Sequence, residues 1–246
     1  MSYSPAHTES SPSNPEETNN QTYQSRVAAL KSIWGIVQDA PKIEVDLTNA
    51  FHYPVFAQAI FGNKATKEPA KIMLQCRGSE QTDQILHEPL FSHGIYSIGL
   101  HGNISGADSM PLSPAAKKRV QDGADAEKLL HYIIQLTAGT RTPRAIRRAI
   151  GKAISFVREK CDYAAANIVF SNGRFLWGIR EVNQYHELVK SQKLMNLFSL
   201  HYGVTKEARF LASEPSVISG CSWEKLPNHT LIEIDTKTQK TEVMKL

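Results

Sequence analysis

With 246 residues, 41% of them hydrophobic and 21% charged, the chain has enough apolar material for a substantial core in one large or two small soluble domains. A net charge of +4 and a pI of about 8.9 invite a nucleic-acid reading. However, the excess lysine and arginine falls mostly in two predicted helices, with no aromatic-interleaved basic stripe, so a solvated basic face is expected and nucleic acid is not the expected partner. No apolar run approaches the length of a membrane span, and the first residues lack a basic-then-apolar signal pattern, so the expected location is cytoplasmic.

Cys76, Cys161 and Cys221 lie far apart, and the histidines show no metal-ligand spacing. No metal or other cofactor is expected, and each cysteine reads as a small buried hydrophobe.

Residues 1–25 are dominated by Ser, Pro, Asn, Glu and Thr. They cannot bury enough surface to offset their ordering entropy and are expected to form a disordered polar tail. Composition shifts at Arg26, and residues 26–246 are expected to form one folded domain. Val27–Leu30 and Ile33–Val37 open it, and the alternation over Lys42–Leu47 predicts a strand. Tyr53-Pro54 predicts the start of a helix through Val55, Phe56, Ala59 and Ile60, with proline in the first turn. Lys71–Arg77 predicts a short apolar strand ending in an arginine, a side chain suited to gripping a carboxylate with two parallel hydrogen bonds. His87–Phe91 is expected to be loop. Tyr96–Leu100 predicts a buried strand that stops at the polar knot His101-Gly102-Asn103, where a glycine N–H and a side-chain donor can point at one developing negative charge.

Beyond a loop over Met110–Pro114, a helix with Leu129, Leu130, Ile133, Ile134 and Leu136 on one side is expected. Asp122 is its candidate cap, and Asp125 and Glu127 lie in the first turn, where negative charge is favoured. A second helix is expected from Thr142 as cap and Pro143, burying Ile146, Ala149, Ile150, Ala153, Ile154 and Val157. Ala166–Phe170 and Phe175–Ile179 around Ser171-Asn172-Gly173-Arg174 give the strongest hairpin signal in the chain. Leu200–Tyr202, Arg209–Ala212 and Thr230–Asp235 predict further strands, with one more within Lys237–Met244. Strands, two helices, then strands again suggest an α+β domain built in layers.

The order of these pieces resembles the class II glutamine amidotransferases of the N-terminal-nucleophile hydrolase superfamily, especially their small stand-alone members. Trp34-Gly35-Ile36, Arg77 at a strand end, His87-Glu88-Pro89-Leu90-Phe91, Leu100-His101-Gly102 and Asp125-Ala126-Glu127 follow the family's order. So do Ser171-Asn172-Gly173, His201-Tyr202-Gly203, Ser213-Glu214-Pro215, Trp223–Pro227 and Leu231–Asp235. The resemblance implies a four-layer αββα sandwich and hydrolysis of the glutamine side-chain amide to glutamate and ammonia. The family's nucleophile is a cysteine that becomes residue one and whose own α-amine is the base. The resemblance assigns the substrate carboxylate to Arg77, its ammonium to Asp125, and an oxyanion donor to the Gly102 N–H, with His101 and Asn103 beside it. Implied partners are glutamine or a γ-glutamyl compound, with a synthase subunit or self-association completing the assembly.

The departures fall on the reaction centre. No cysteine precedes Cys76, and Ser2, the residue that methionine removal would expose, lies in the polar tail rather than at the start of an apolar strand. His101 stands where the family has its oxyanion asparagine, and the threonine near the arginine is absent. Loss of one oxyanion donor costs on the order of 10²–10³ in rate. The expectation is therefore a relative with glutaminase chemistry impaired or lost. The alternatives are an active hydrolase using Ser2, or a non-enzymatic domain whose basic helix contacts nucleic acid through Arg144, Arg147 and Arg148.

Overall fold

The computed structural model describes residues 32–34, 55–60, 71–77, 90–190, 198–206, 208–213, 215 and 220–246. The predicted tail and the predicted strand over Lys42–Leu47 lie outside these residues. Two six-stranded sheets carry the fold, both antiparallel at every described pairing. The first contains β1 (Ser32–Trp34), β2 (Val55–Ile60), β3 (Lys71–Arg77), β8 (His201–Val204), β9 (Ala208–Ala212) and β10 (Ser222–Lys225), in the order β1-β3-β2-β9-β8-β10. The second contains β4 (Leu90–His93), β5 (Tyr96–Ser105), β6 (Asp162–Ser171), β7 (Phe175–Arg180), β11 (Thr230–Asp235) and β12 (Thr241–Lys245), in the order β12-β11-β7-β6-β5-β4.

Side chains alternate across a strand, so the second sheet has two distinct faces. One face, with Ile98, Leu100, Ile168, Phe170, Trp177, Ile179 and Leu231, packs against two helices, α2 (Asp125–Leu136) and α3 (Pro143–Lys160). The other, with Val169, Leu176, Ile232 and Ile234, packs against Leu74 of β3 and Leu211 of β9, so the two sheets share a core. Gly178 sets the spacing there. A Cβ at that position would lie 2.6 Å from a Leu211 methyl, so β7 can approach β9 only without a side chain.

The helices follow the expected local chemistry. Thr142 Oγ1 accepts from the Ala145 N–H with Pro143 in the first turn, and Ile146, Ala149, Ile150, Ala153, Ile154 and Val157 are buried at helical spacing. Each buried isoleucine contributes roughly 1.5–3 kcal/mol relative to remaining exposed. The start of α2 differs from expectation. Ala124, not Asp122, occupies the cap, and the buried Glu127 carboxylate reaches back to accept from the N–H groups of Gln121, Asp122 and Gly123 at 2.8, 2.9 and 3.0 Å. The carboxylate thus reaches past the cap to the turn that precedes it, and no side chain caps the helix.

Other expectations are overturned. Val55–Ile60 is a strand paired with β3 and β9, not a helix, because two ladders outweigh the proline-first-turn cue. The Tyr96 strand does not stop at Leu100; it runs through His101-Gly102-Asn103 to Ser105, with a register shift between Asn103 and Ile104. Leu90 and Phe91 belong to β4 rather than to a loop, and a short helix, α1 (Pro114–Lys117), capped by Ser113, occupies part of the expected 110–114 loop. Cys161 and Cys221 are half-buried rather than fully buried.

Candidate functional site

One step along each central strand of the second sheet separates core from candidate site. Leu100, Ile168, Ile179 and Leu231 form an apolar row on the helix side. In the next row, His101 pairs with Asn167, and Thr230 pairs with Arg180. The register that joins Ile168 to Ile179 and Ala165 to Val182 sets Asn167 opposite Arg180. Four polar side chains thus cross four strands on the face toward the first sheet, with His101 3%, Asn167 0%, Arg180 6% and Thr230 5% exposed.

Each member has a different electrostatic situation. Arg180 donates to the Leu226 and Phe198 carbonyls at 2.8 and 3.4 Å, and burial pushes its guanidinium below the usual arginine range. No carboxylate pairs with it among the described residues. The Asn167 Oδ1 accepts from the Glu181 N–H at 3.1 Å, which fixes the orientation of the amide. Among the described residues its Nδ2 has no hydrogen-bond partner, and neither has His101 Nδ1. The His101 ring lies 5.7 Å from the Phe198 ring, and burial lowers its pKa to about 4, so it is neutral at pH 7.

The expected site residues divide among the layers. Gly102 has φ +144, and a Cβ there would stand 1.9 Å from the Ala165 carbonyl oxygen, so only glycine fits against β6. Asn103 stands at the bulge. Arg77 ends β3 opposite Ser32 of β1, and β1, β2 and β3 all approach β5. The structure therefore carries His101, Gly102 and Asn103 on one strand, β5, which the Arg77 strand also approaches. Asp125 is in the helix layer, as the first residue of α2, and is half-buried. Burial raises the Cys161 thiol, a hydrogen bond with Ser109 lowers it, and the Asp125 charge adds to the rise, which puts Asp125 beside the end of α3. Ser2 lies outside the described residues.

Sequence reading missed Asn167 and Arg180. The available signal was a polar side chain inside an apolar strand, as in Ala-Ala-Ala-Asn-Ile-Val-Phe and Phe-Leu-Trp-Gly-Ile-Arg.

A second buried polar cluster occupies the helix side. Glu181 is fully buried and accepts from Arg158 at 3.0 Å and from Tyr163 at 2.9 Å, with His229 Nδ1 at 3.0 Å. Burial raises its pKa, but the hydrogen bonds with Arg158, His229 and Tyr163 outweigh this and hold the carboxyl below its usual range. The same group pushes the Tyr163 phenol above the usual tyrosine range, with burial the largest cause. Arg158 on α3, Tyr163 on β6 and His229 converge on the Glu181 carboxylate, so this network ties α3 to the sheet. Among the described residues no group of three His, Cys, Asp or Glu side chains could hold a metal ion, and no helix is long and apolar enough to cross a membrane. Arg144 and Arg148 are exposed on α3, whereas Arg147 pairs with Glu233 and Glu242.

No protein-family model matches the chain, and no curated protein sequence does. Solved structures do match in fold. A glutamine aminotransferase class-II domain protein from Silicibacter pomeroyi superposes with a TM-score of 0.51 at 11% identity, covering 78% of this chain and 98% of its own. A predicted glutamine amidotransferase from Pseudomonas aeruginosa matches with TM-score 0.46 at 10% identity, over 88% of this chain and 96% of the other. The glutamine phosphoribosylpyrophosphate amidotransferase of B. subtilis matches with TM-score 0.43 at 14% identity, over 77% of this chain and 42% of the other. The first of these similarities, at full length of the matched domain, agrees with the order of motifs in the sequence: this chain has the fold of the class II glutamine amidotransferases.

Proposed function

We propose that this protein is a class II glutamine amidotransferase-like domain, with the four-layer arrangement of that superfamily, that binds glutamine or a γ-glutamyl compound without hydrolysing it at the family's ordinary rate. The observation that carries the loss of chemistry is the position of the first described strand. A nucleophile that starts that strand would stand at Ser32, opposite Arg77. Ser32 is preceded by more chain, so its amine is tied up in a peptide bond and cannot serve as the base. Ser2, the alternative nucleophile, stands far upstream of β1 in the sequence, in a polar segment rather than at the start of an apolar run. The second departure is His101, whose buried neutral ring replaces an amide donor. Arg77 and Asp125 keep the charges that suit an amino acid's carboxylate and ammonium. The wider assembly, a synthase subunit or a second copy, belongs to the same proposal, as does a cytoplasmic location.

The test is paired. Purified protein incubated with L-glutamine is expected to release glutamate at least 10²-fold more slowly than a typical enzyme turnover of about 10 s⁻¹, while calorimetry detects glutamine binding that Arg77→Ala weakens. Turnover near 10 s⁻¹ that Ser2→Ala abolishes would overturn the reading, as would intact-mass spectrometry of an active form beginning at Ser32.

A further inference from the structure

The row His101–Asn167–Arg180–Thr230 contains a feature that folding alone does not explain. Buried polar atoms are nearly always hydrogen-bonded, because an unmet donor or acceptor retains its full desolvation cost. Among the described residues two atoms break that rule, His101 Nδ1 and Asn167 Nδ2. They belong to directly paired residues on adjacent strands, on one face, where opposing side chains lie about 4.5–5.5 Å apart at Cβ.

The two groups are not equivalent. Asn167 has its Oδ1 engaged by the Glu181 N–H, so the atom left free is its NH2, which can only donate. His101 is neutral at pH 7, with burial holding its pKa at about 4. With its proton on Nε2, Nδ1 is a bare acceptor. A donor beside an acceptor is the mirror of a primary carboxamide, whose oxygen accepts and whose NH2 donates. A carboxylate would satisfy Asn167 but leave Nδ1 facing a second acceptor. The next side chain in the row, Arg180, is a buried cation neutralised by no carboxylate among the described residues, which favours an electron-rich oxygen at the Asn167 side.

We infer that Asn167 and His101 together form a subsite for a primary carboxamide, with Asn167 Nδ2 donating to the carboxamide oxygen and His101 Nδ1 accepting from its NH2. Asn167 then supplies, from the neighbouring strand, the amide donor that position 101 lacks. This rests on the glutamine-pocket reading for the identity of the whole ligand, but the subsite stands or falls on its own small probes.

The experiment follows the ¹⁵N resonances of His101 in the full chain during titration with propionamide, propionate and L-glutamine, with the Trp177 indole N–H, bonded to Glu233 at 2.7 Å, as the marker of an intact fold. Propionamide is expected to shift the His101 Nδ1 signal, which begins with the character of an unprotonated nitrogen, and propionate is not. Asn167→Leu and Asn167→Asp, the latter keeping an oxygen for the Glu181 N–H, are expected to weaken propionamide about tenfold with the Trp177 signal unmoved. A proton on Nδ1, equal response to propionate, unchanged affinity in both variants, or no response to any probe because the pair holds water only, would each overturn the subsite. Propionamide binding without glutamine binding would leave the subsite standing and sink the glutamine pocket. Glutamine binding that both Asn167 variants leave untouched would do the reverse.

Discussion

Two buried polar clusters lie on opposite faces of the same sheet, one residue apart in sequence, and they are built in opposite ways. Around Glu181 every demand is met: Arg158, Tyr163 and His229 all converge on one carboxylate. Around Asn167 and His101, two polar atoms are enclosed and left unmet. A satisfied buried network rigidifies and specifies the fold, whereas an unsatisfied one leaves a free-energy gain for something else to collect. The contrast separates a polar cluster that holds the protein together from one that is free to bind.

Breaking the satisfied side is expected to have the largest effect. Glu181→Ala strips a buried ion pair of its carboxylate and should lower stability by about 4 kcal/mol, read from denaturant midpoints at pH 7. The Glu181 pKa is depressed in the fold, so its contribution is present above the ordinary glutamate range and lost as pH falls through the lower folded value. A wild-type acid limb that Glu181→Ala leaves unchanged would show that the network is not the stabilising element proposed here.

Gly102→Ala comes next. It forces a Cβ to within 1.9 Å of the Ala165 carbonyl oxygen at a φ that side chains avoid, and about 3 kcal/mol of destabilisation is expected from strain and overpacking. A near-neutral result in thermal melts would mean that β5 and β6 separate readily at this point.

On the unsatisfied side the signs change. His101 has a folded pKa of about 4 against an ordinary value of 6.5, so the unfolded chain takes up the proton first. Its contribution is fully present above pH 6.5 and falls by about 3 kcal/mol as pH drops toward 4, below which it changes no further. His101→Phe should remove that slope from the stability-versus-pH curve. At pH 7 the same variant is expected to be neutral or to gain about 1 kcal/mol, because it removes an orphaned polar atom. A loss comparable with that of Glu181→Ala would place His101 in a structural network after all.

The elements written in local chemistry were legible from the sequence. Thr142-Pro143 fixed the start of α3, Ser171-Asn172-Gly173-Arg174 fixed the β6–β7 turn, and Thr230–Asp235 matches β11 at both ends. What failed were the places where distant pairing decides. Val55–Ile60 has helix-compatible residues but lies between two strands, and the His101-Gly102-Asn103 knot, a turn by its composition, is carried as strand by nine paired residues of β6. The candidate site was half legible in the same way. His101 and Gly102 stood out because a polar knot follows an apolar run, whereas Asn167 and Arg180 were hidden in runs that look like core.

By itself, the sequence determined the order of motifs, the Thr142 cap of α3 and the hairpin, because each depends on residues within a few positions of one another. It also determined that no cysteine precedes Cys76 and that a histidine stands at position 101. Only the tertiary structure decided which polar residues face one another. His101 and Asn167 are separated in the chain by α1, α2 and α3 and become neighbours through the β5–β6 register, a property of strand pairing that no local pattern encodes.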